Sequence, residues 1–333
     1  MTLSLRHGVR CTLTLLGLVA TTLGSNAWGQ DVYPSRNVRV VVPFSAGGGT
    51  DVVTRYFAQK LSERMGKNFY VENKAGGGGG SVGSLEVARS KPDGYTIAAG
   101  TSSGILNAAM DPNGYNPVTD LQPVARLGTT TLVLVVNAKL PINSVAELVQ
   151  YAKKNPGTAY GSAGVGSVNH FAGEMLSKAA GVPLTHVPYR GESQATTDVI
   201  SGQTAMTFSS VGVVQPYVQS GQVRALAVTA PTRFPTLPNV PTLGEVGFKD
   251  ISIVNSYGFY VPKGTPEAIV NLLVTNINAL RADREIASKL VDVASFDTTG
   301  SDTPAAFHSA MADELRTYSK LAVDAGLIEV KAK

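Results

Sequence analysis

Cysteine is nearly missing from this chain of 333 residues, and so is tryptophan. The only cysteine is Cys11 and the only tryptophan is Trp28, and both lie in the first thirty residues. Residues 30–333 therefore contain no disulfide, no Cys-based metal site and no cysteine nucleophile. About 300 residues bury enough surface to fold without such staples. Charge is also sparse: Asp, Glu, Lys and Arg make up 16% of the chain, with 28 basic against 24 acidic residues. There is no Lys/Arg cluster, which argues against nucleic acid as a partner. After the N-terminal segment no apolar run is long enough to span a bilayer.

The N-terminus has the build of a secretory signal. Arg6, His7 and Arg10 form a basic start, Cys11 to Leu23 is apolar apart from Thr and Gly, and Ala27-Trp28-Gly29 fits a small-x-small cleavage site. Val9-Arg10 before Cys11 do not make a lipidation site. Residues 1–29 are thus expected to be a signal peptide, and the product an exported, periplasmic protein. Loss of Arg6 and Arg10 leaves 26 basic against 24 acidic residues, a net charge near +2.

What is abundant is glycine, 35 residues of it, set between strand-like and helix-like segments. Strands are expected at Val38–Val42, Phe69–Glu72, Thr96–Ala99, Leu132–Asn137, Thr158–Ser162, Thr185–Pro188, Ala205–Ser209, Ala225–Thr229 and Tyr257–Val261. Helices are expected at Asp51–Met65, Val82–Ser90, Val145–Lys154, Val168–Ala180, Ser193–Ser201, Val213–Ser220, Pro266–Leu280, Arg284–Val293 and Pro304–Ala325. This alternation predicts an α/β fold of mostly parallel sheets flanked by helices. Leu132–Val136 and Ile251–Pro262 read as crossovers between two lobes, one of residues 30–130 plus 253–333 and an inserted one of 131–252. A ligand cleft would lie between them, at the carboxyl ends of strands.

The organising stretch is Val38–Asp51. A buried β-branched strand ends at Pro43, three glycines follow, and Thr50 and Asp51 open a helix. Such a junction points backbone N–H groups and a helix dipole at one spot and suits a small carboxylate. The alternative is a plain strand-to-helix turn, in which Asp51 only holds the loop. A second glycine loop, Gly161 to Ser167, opens a helix with Ser167 as N-cap. His170 in its first turn is expected to be neutral and free to donate one hydrogen bond. A further loop, Pro188-Tyr189-Arg190-Gly191, precedes the helix containing Gln194.

Gly100-Thr101-Ser102-Ser103-Gly104 matches the G-x-S-x-G elbow of serine hydrolases, with Ser102 as nucleophile and His170, His186 or His308 as base. The following helix is short, breaking at Asp111-Pro112-Asn113-Gly114, and no HGGG-type oxyanion segment accompanies it. Gly78-x-Gly80-x-x-Gly83 has dinucleotide spacing, but a five-glycine run meets it easily and no acid ends the next strand. His170 and Glu174 share a helix face without an evident third metal ligand. Neither cofactor nor metal is expected.

Taken in order, several segments resemble the periplasmic receptors of tripartite tricarboxylate transporters, the Bug family. They are Tyr33-Pro34-Ser35, Val41-Val42-Pro43-Phe44 with its glycines, Val71 to Gly76, Pro92-Asp93-Gly94-Tyr95-Thr96, Val187 to Gly191, Val223 to Thr229, Leu237 to Thr242 and Gly264-Thr265-Pro266. The resemblance implies a two-lobed, type II-like binding protein. It would close on a small carboxylate and deliver it to the membrane components of such a transporter, as a monomer and not as an enzyme. A sensory receptor uncoupled from uptake, or a secreted serine hydrolase using Ser102, are the alternatives. It assigns the carboxylate grip to the loop of Phe44, Ala46, Gly47, Gly48 and Thr50, with Gly47 and Gly48 as backbone donors; Asp51 beside it would hold the loop or accept a hydrogen bond from a ligand amine or hydroxyl. The facing lobe would add Ser162, Gly166, Ser167, His170, Tyr189 and Gly191, with Ser102, Asn107 and Ser209 in the wall. Two departures stand out. Ser45-Ala46 replace the proline often found before the first glycines. Phe208-Ser209 replace Phe-Asp, which argues against an amino-acid ligand and for a plain or hydroxylated acid.

Overall fold

The computed structural model describes residues 33–299, 303–324 and 326–328; the expected signal peptide lies outside them. The first half of the chain runs β1 (Val38–Val42), α1 (Gly49–Met65), β2 (Phe69–Asn73), α2 (Ser81–Ala88), β3 (Thr96–Thr101), α3 (Ser102–Met110), α4 (Pro117–Asp120) and β4 (Leu121–Asn137). Then come α5 (Val145–Lys154), β5 (Ala159–Ser162), α6 (Val168–Ala180), β6 (Thr185–Pro188), α7 (Glu192–Ser201), β7 (Met206–Ser210), α8 (Val211–Gln219) and β8 (Val223–Val228). The chain returns through β9 (Val254–Pro262), α9 (Glu267–Ala282), α10 (Arg284–Ala294), β10 (Phe296–Asp297) and α11 (Pro304–Asp324).

The strands lie in the order β2-β1-β3-β9-β4-β7-β5-β6, with β8 and β10 also pairing to β4. The flanks are parallel, as the βα alternation predicts: β1 pairs in parallel with β2 and β3, and β5 with β6 and β7. The centre is antiparallel, because β9 enters between β3 and β4 from the far end of the chain. The fold is therefore mixed at its middle and parallel at its edges.

β4 joins the two regions. Its residues from Leu121 to Thr131 pair with β9, and from Leu132 to Val136 with β7. The change of partner falls between Thr131 and Leu132. The largest buried cluster spans both regions, joining Val41, Ala98 and Tyr260 to Leu134, Tyr160 and Phe208; two smaller clusters each stay on one side. Val38, Val40, Val42, Phe57, Leu61, Phe259 and Leu273 pack in one cluster, and Val133, Val135, Val199, Val211 and Val214 in another. β1 works as a both-faces-buried strand because four of its five residues are fully covered valines.

Helix ends follow their local chemistry. Ser144 and Ser167 cap α5 and α6 by accepting from the N–H groups of Glu147 (3.1 Å) and His170 (3.2 Å). α1 has no such cap: its N-cap is Gly48, which has no side chain to offer, so its first N–H groups need partners from elsewhere.

Candidate ligand site

The partner that α1 finds comes from the other end of the cleft. The N–H of Gly49 donates to Oε1 of Glu192, at 2.5 Å. Glu192 is the first residue of α7 and is buried. Its other oxygen, Oε2, accepts from the Ser210 N–H (3.0 Å), the Ser210 hydroxyl (3.0 Å), the Ser209 hydroxyl (3.3 Å) and the Asn169 amide (3.5 Å). Ser210 is the N-cap of α8. One carboxylate thus sits between the positive ends of α1 and α8, each favouring an anion by about 0.3–1 kcal/mol. Among the described residues no lysine or arginine pairs with it. Helix ends, hydroxyls and an amide do the work of a cation here.

The loops around it are stapled across the cleft. Ser45 N–H donates to the Arg190 carbonyl (3.0 Å), and the Ser193 hydroxyl to the Ala46 carbonyl (3.1 Å). Gly191 lies so close to the Ser45 side chain that a Cβ there would stand 2.1 Å from Oγ. Only glycine permits that approach.

Two spaces remain. The inner one leaves about 20 Å³ for the centre of a water molecule. It is lined by Phe44, Gly48, Thr50, Thr101, Ser103, Ala163, Asn169, Glu192 and Asn255. The outer one, about 540 Å³, is bounded by Pro43, Phe44 and Ala75 to Gly78 on one side and by Ala163 to Val165 and Pro188 to Arg190 on the other. Phe44 and Ala163 border both. Among the described residues the Arg190 guanidinium has no hydrogen-bond or ion-pair partner, and the N–H groups of Gly77 and Gly78 make no backbone hydrogen bond.

The structure places the expected site residues in three ways. Phe44, Gly48 and Thr50 line the inner space, and Phe44 and Tyr189 the outer one. Tyr189 turns its hydroxyl away, donating to Asp198. A second group shapes loops. The Asp51 carboxylate accepts from the Gly47 N–H (3.0 Å), Arg55 (2.9 Å) and the Asn73 amide (2.9 Å). Gly47 therefore carries no free donor, a correction to its expected role in the grip, and the N–H next to Gly48 that faces a carboxylate belongs to Gly49. Ala46 contributes its carbonyl to Ser193, Ser167 caps α6, and Ser209 donates to Glu192. Gly166 is pressed against Asn107, where a Cβ would stand 2.5 Å from Oδ1.

The third group lies elsewhere. Ser102 is fully buried and bonds the hydroxyl and N–H of Ser256 (2.8 and 2.9 Å), so its described partners do not include a histidine. Ser162 bonds His186 Nε2 (2.6 Å). Burial lowers the pKa of His170, the expected neutral state reached by desolvation; the Glu174 charge opposes it, with Oε1 at 3.9 Å. His170 Nδ1 accepts from the Gly166 N–H at 3.3 Å. His186, its ring tilted 31° to that of His170 with centroids 4.1 Å apart, is pushed down to about 4 by burial and by its neighbour.

Glu192, Asn169, Ser210, Thr101, Ser103 and Asn255 are the site residues that sequence reasoning passes over. An acid in a first helical turn is too common to signal anything.

Comparison with known proteins agrees with this architecture. A protein from the tcbD-tcbE intergenic region of Pseudomonas sp. is 34% identical over 320 residues, covering 95% of this chain and 94% of its own. The solved periplasmic binding protein BugD is 32% identical, with a TM-score of 0.83, covering 88% of this chain and 99% of BugD. A protein of R. palustris solved with adipate has the same identity and TM-score and covers 88% of this chain and 98% of its own. Residues 53–314 match the family described as "Tripartite tricarboxylate transporter family receptor". With most of its length matched and its two-lobed α/β fold shared, this chain belongs to the tripartite tricarboxylate transporter receptor family.

Proposed function

We propose that this protein is a periplasmic solute receptor that captures a small carboxylate between its lobes and passes it to the membrane components of a tripartite tricarboxylate-type transporter. The observation that carries the reading is the outer chamber. Its lining includes Arg190, whose guanidinium has no partner among the described residues, and Gly77 and Gly78, whose N–H groups make no backbone hydrogen bond, beside apolar Phe44 and Ala163. About 540 Å³ falls within the usual range of small-ligand sites, roughly 300–1,000 Å³. Arginine and backbone amides are the natural donors to a carboxylate. The relative solved with adipate supports the same ligand class.

In this reading residues 30–130 and 253–333 form one lobe and 131–252 the other. The segments 128–132 and 251–257 act as hinges, and closure buries the ligand. The receptor works as a monomer without catalysis, and residues 1–29 are removed on export.

The test is a thermal-shift screen of residues 30–333, refolded to strip carried-over ligand, against small mono-, di- and tricarboxylates. A selective ligand at about a hundredfold over its Kd stabilises the fold by about 2.7 kcal/mol. Absence of a shift with every acid would overturn the proposal.

A further inference from the structure

The inner end of the cleft already contains a carboxylate, and it belongs to the protein. Glu192 takes five local donors: the N–H of Gly49, the N–H of Ser210, the hydroxyls of Ser209 and Ser210, and the Asn169 amide. Where the family resemblance leads one to expect an aspartate, the chain has Ser209, and the Glu192 carboxylate lies against that serine's hydroxyl at 3.3 Å. An acidic group is thus restored from a different strand–helix junction.

From this we infer that Glu192 sets the ligand class: the ligand presents a carboxylate to the outer chamber and a hydrogen-bond donor, a hydroxyl or an ammonium, to the inner space. The inference rests on the carboxylate-receptor reading and deepens it.

Three observations carry it. The first is size. The inner space leaves only about 20 Å³ for the centre of a water molecule, so a single small donor such as a hydroxyl or ammonium enters it with the least displacement of the lining. The second is charge. A ligand carboxylate there would stand beside Glu192 in a closed site with no lysine or arginine bonded to that residue, and like charges brought together in this way are strongly disfavoured. The third is hydrogen-bonding capacity. Oε2 accepts four hydrogen bonds, whereas Oε1 accepts only that of Gly49 and keeps a lone pair for a further donor. The other polar groups lining the space, Thr50, Thr101, Ser103 and Asn255, can accept or donate and so tolerate a hydroxyl.

Selectivity of this kind rejects the wrong ligand as much as it attracts the right one. A dicarboxylate would have to displace Glu192 from its five hydrogen bonds or remain partly outside.

The experiment is calorimetric titration with two chain-length-matched sets: succinate, 4-hydroxybutyrate and 4-aminobutyrate; adipate, 6-hydroxyhexanoate and 6-aminohexanoate. Within the length that binds, the wild-type protein is expected to bind the hydroxy or amino acid at least about tenfold more tightly than the diacid. Which of the two leads decides between hydroxyl and ammonium. In Glu192→Gln the diacid gains at least about tenfold, the amino acid loses affinity, and the hydroxy acid stays within about threefold. The wild-type order is readable even if the variant folds poorly. A wild-type protein that prefers the diacid, or a folded Glu192→Gln protein with an unchanged order, overturns the inference and leaves the receptor reading standing. Binding of none of the six, together with no response to any acid in the wider screen, overturns both.

Discussion

Gly49 and Glu192, 143 positions apart in sequence, are joined by a 2.5 Å hydrogen bond from the N–H of one to the carboxylate of the other. The bond ties the start of the first long helix to the start of α7 and closes the floor of the cleft. A Cβ on Gly49 would stand 2.9 Å from Glu192 Oε1, 2.9 Å from the Tyr257 hydroxyl and 3.0 Å from Ser210 Oγ. Three polar groups would have to move at once.

Gly49→Ala is therefore expected to lose about 1–3 kcal/mol of stability, the usual cost of overpacking a filled site. Its affinity for the acid found in the screen should fall at least about tenfold, since the lobes no longer meet at this point. Denaturant melts and calorimetry on one preparation read both; wild-type affinity in the variant would show that this contact is not made in the bound state.

Ser167→Ala removes the cap of α6, a change worth about 1 kcal/mol, and loosens the wall of the second glycine loop. Gly48→Val puts branched carbon beside Glu192, where a Cβ alone would already lie 3.3 Å from Cγ. Each variant is expected to fold and to bind the acid more weakly. Unchanged affinity in both would dismiss this face of the cleft as the ligand wall.

Asp51 should stabilise the fold in a pH-dependent way. Burial alone would raise its pKa, but the Arg55 guanidinium, the Gly47 N–H and the Asn73 amide together hold it below the usual range for an aspartate. A depressed folded pKa contributes stability that is present above the unfolded value, near 3.9, and is lost as pH falls through the folded one. Asp51→Asn is expected to cost about 1–3 kcal/mol at neutral pH, the range for hydrogen bonds to a charged group. The deficit relative to wild type should shrink below pH 4. A deficit constant from pH 7 to pH 3 would contradict the charge-based account.

The histidine pair has the same sign of pH response for a different reason. His186 is pushed down to about 4 against an unfolded value near 6.5. Between these values the unfolded chain binds more protons, so stability rises with pH through that interval and levels off above it. Replacing His186 with Gln should flatten the stability curve between pH 4 and 6.5. A curve as steep as that of the wild type would assign the slope to other groups.

Much of this was legible in the sequence because local chemistry and tertiary role coincide. β1, α5, α6 and β6 fall where their periodicity and caps place them. The first half of β4 was not legible. The strand carries Pro123, Arg126 and Gly128 by shifting register between Pro123 and Ala125 and again between Arg126 and Gly128. Helix α3 ends where the Asp111-Pro112-Asn113-Gly114 break places it, but its start lies inside the glycine-and-serine loop signal, where Thr101 caps it by accepting from the Ser103 N–H. Glu192 was illegible for a deeper reason. Its place depends on two loops meeting across a cleft, and nothing in the five residues on either side of it encodes that encounter.

β4 runs for 17 residues, roughly 56 Å at about 3.3 Å per residue, and is paired along both of its halves. A ribbon held this way behaves as a torsion bar: a sharp bend would rupture a ladder, whereas added twist spreads over many hydrogen bonds. The proposed hinge segments, 128–132 and 251–257, are paired to each other within this ribbon, so the proposed closure would be taken up there as added twist rather than as a bend.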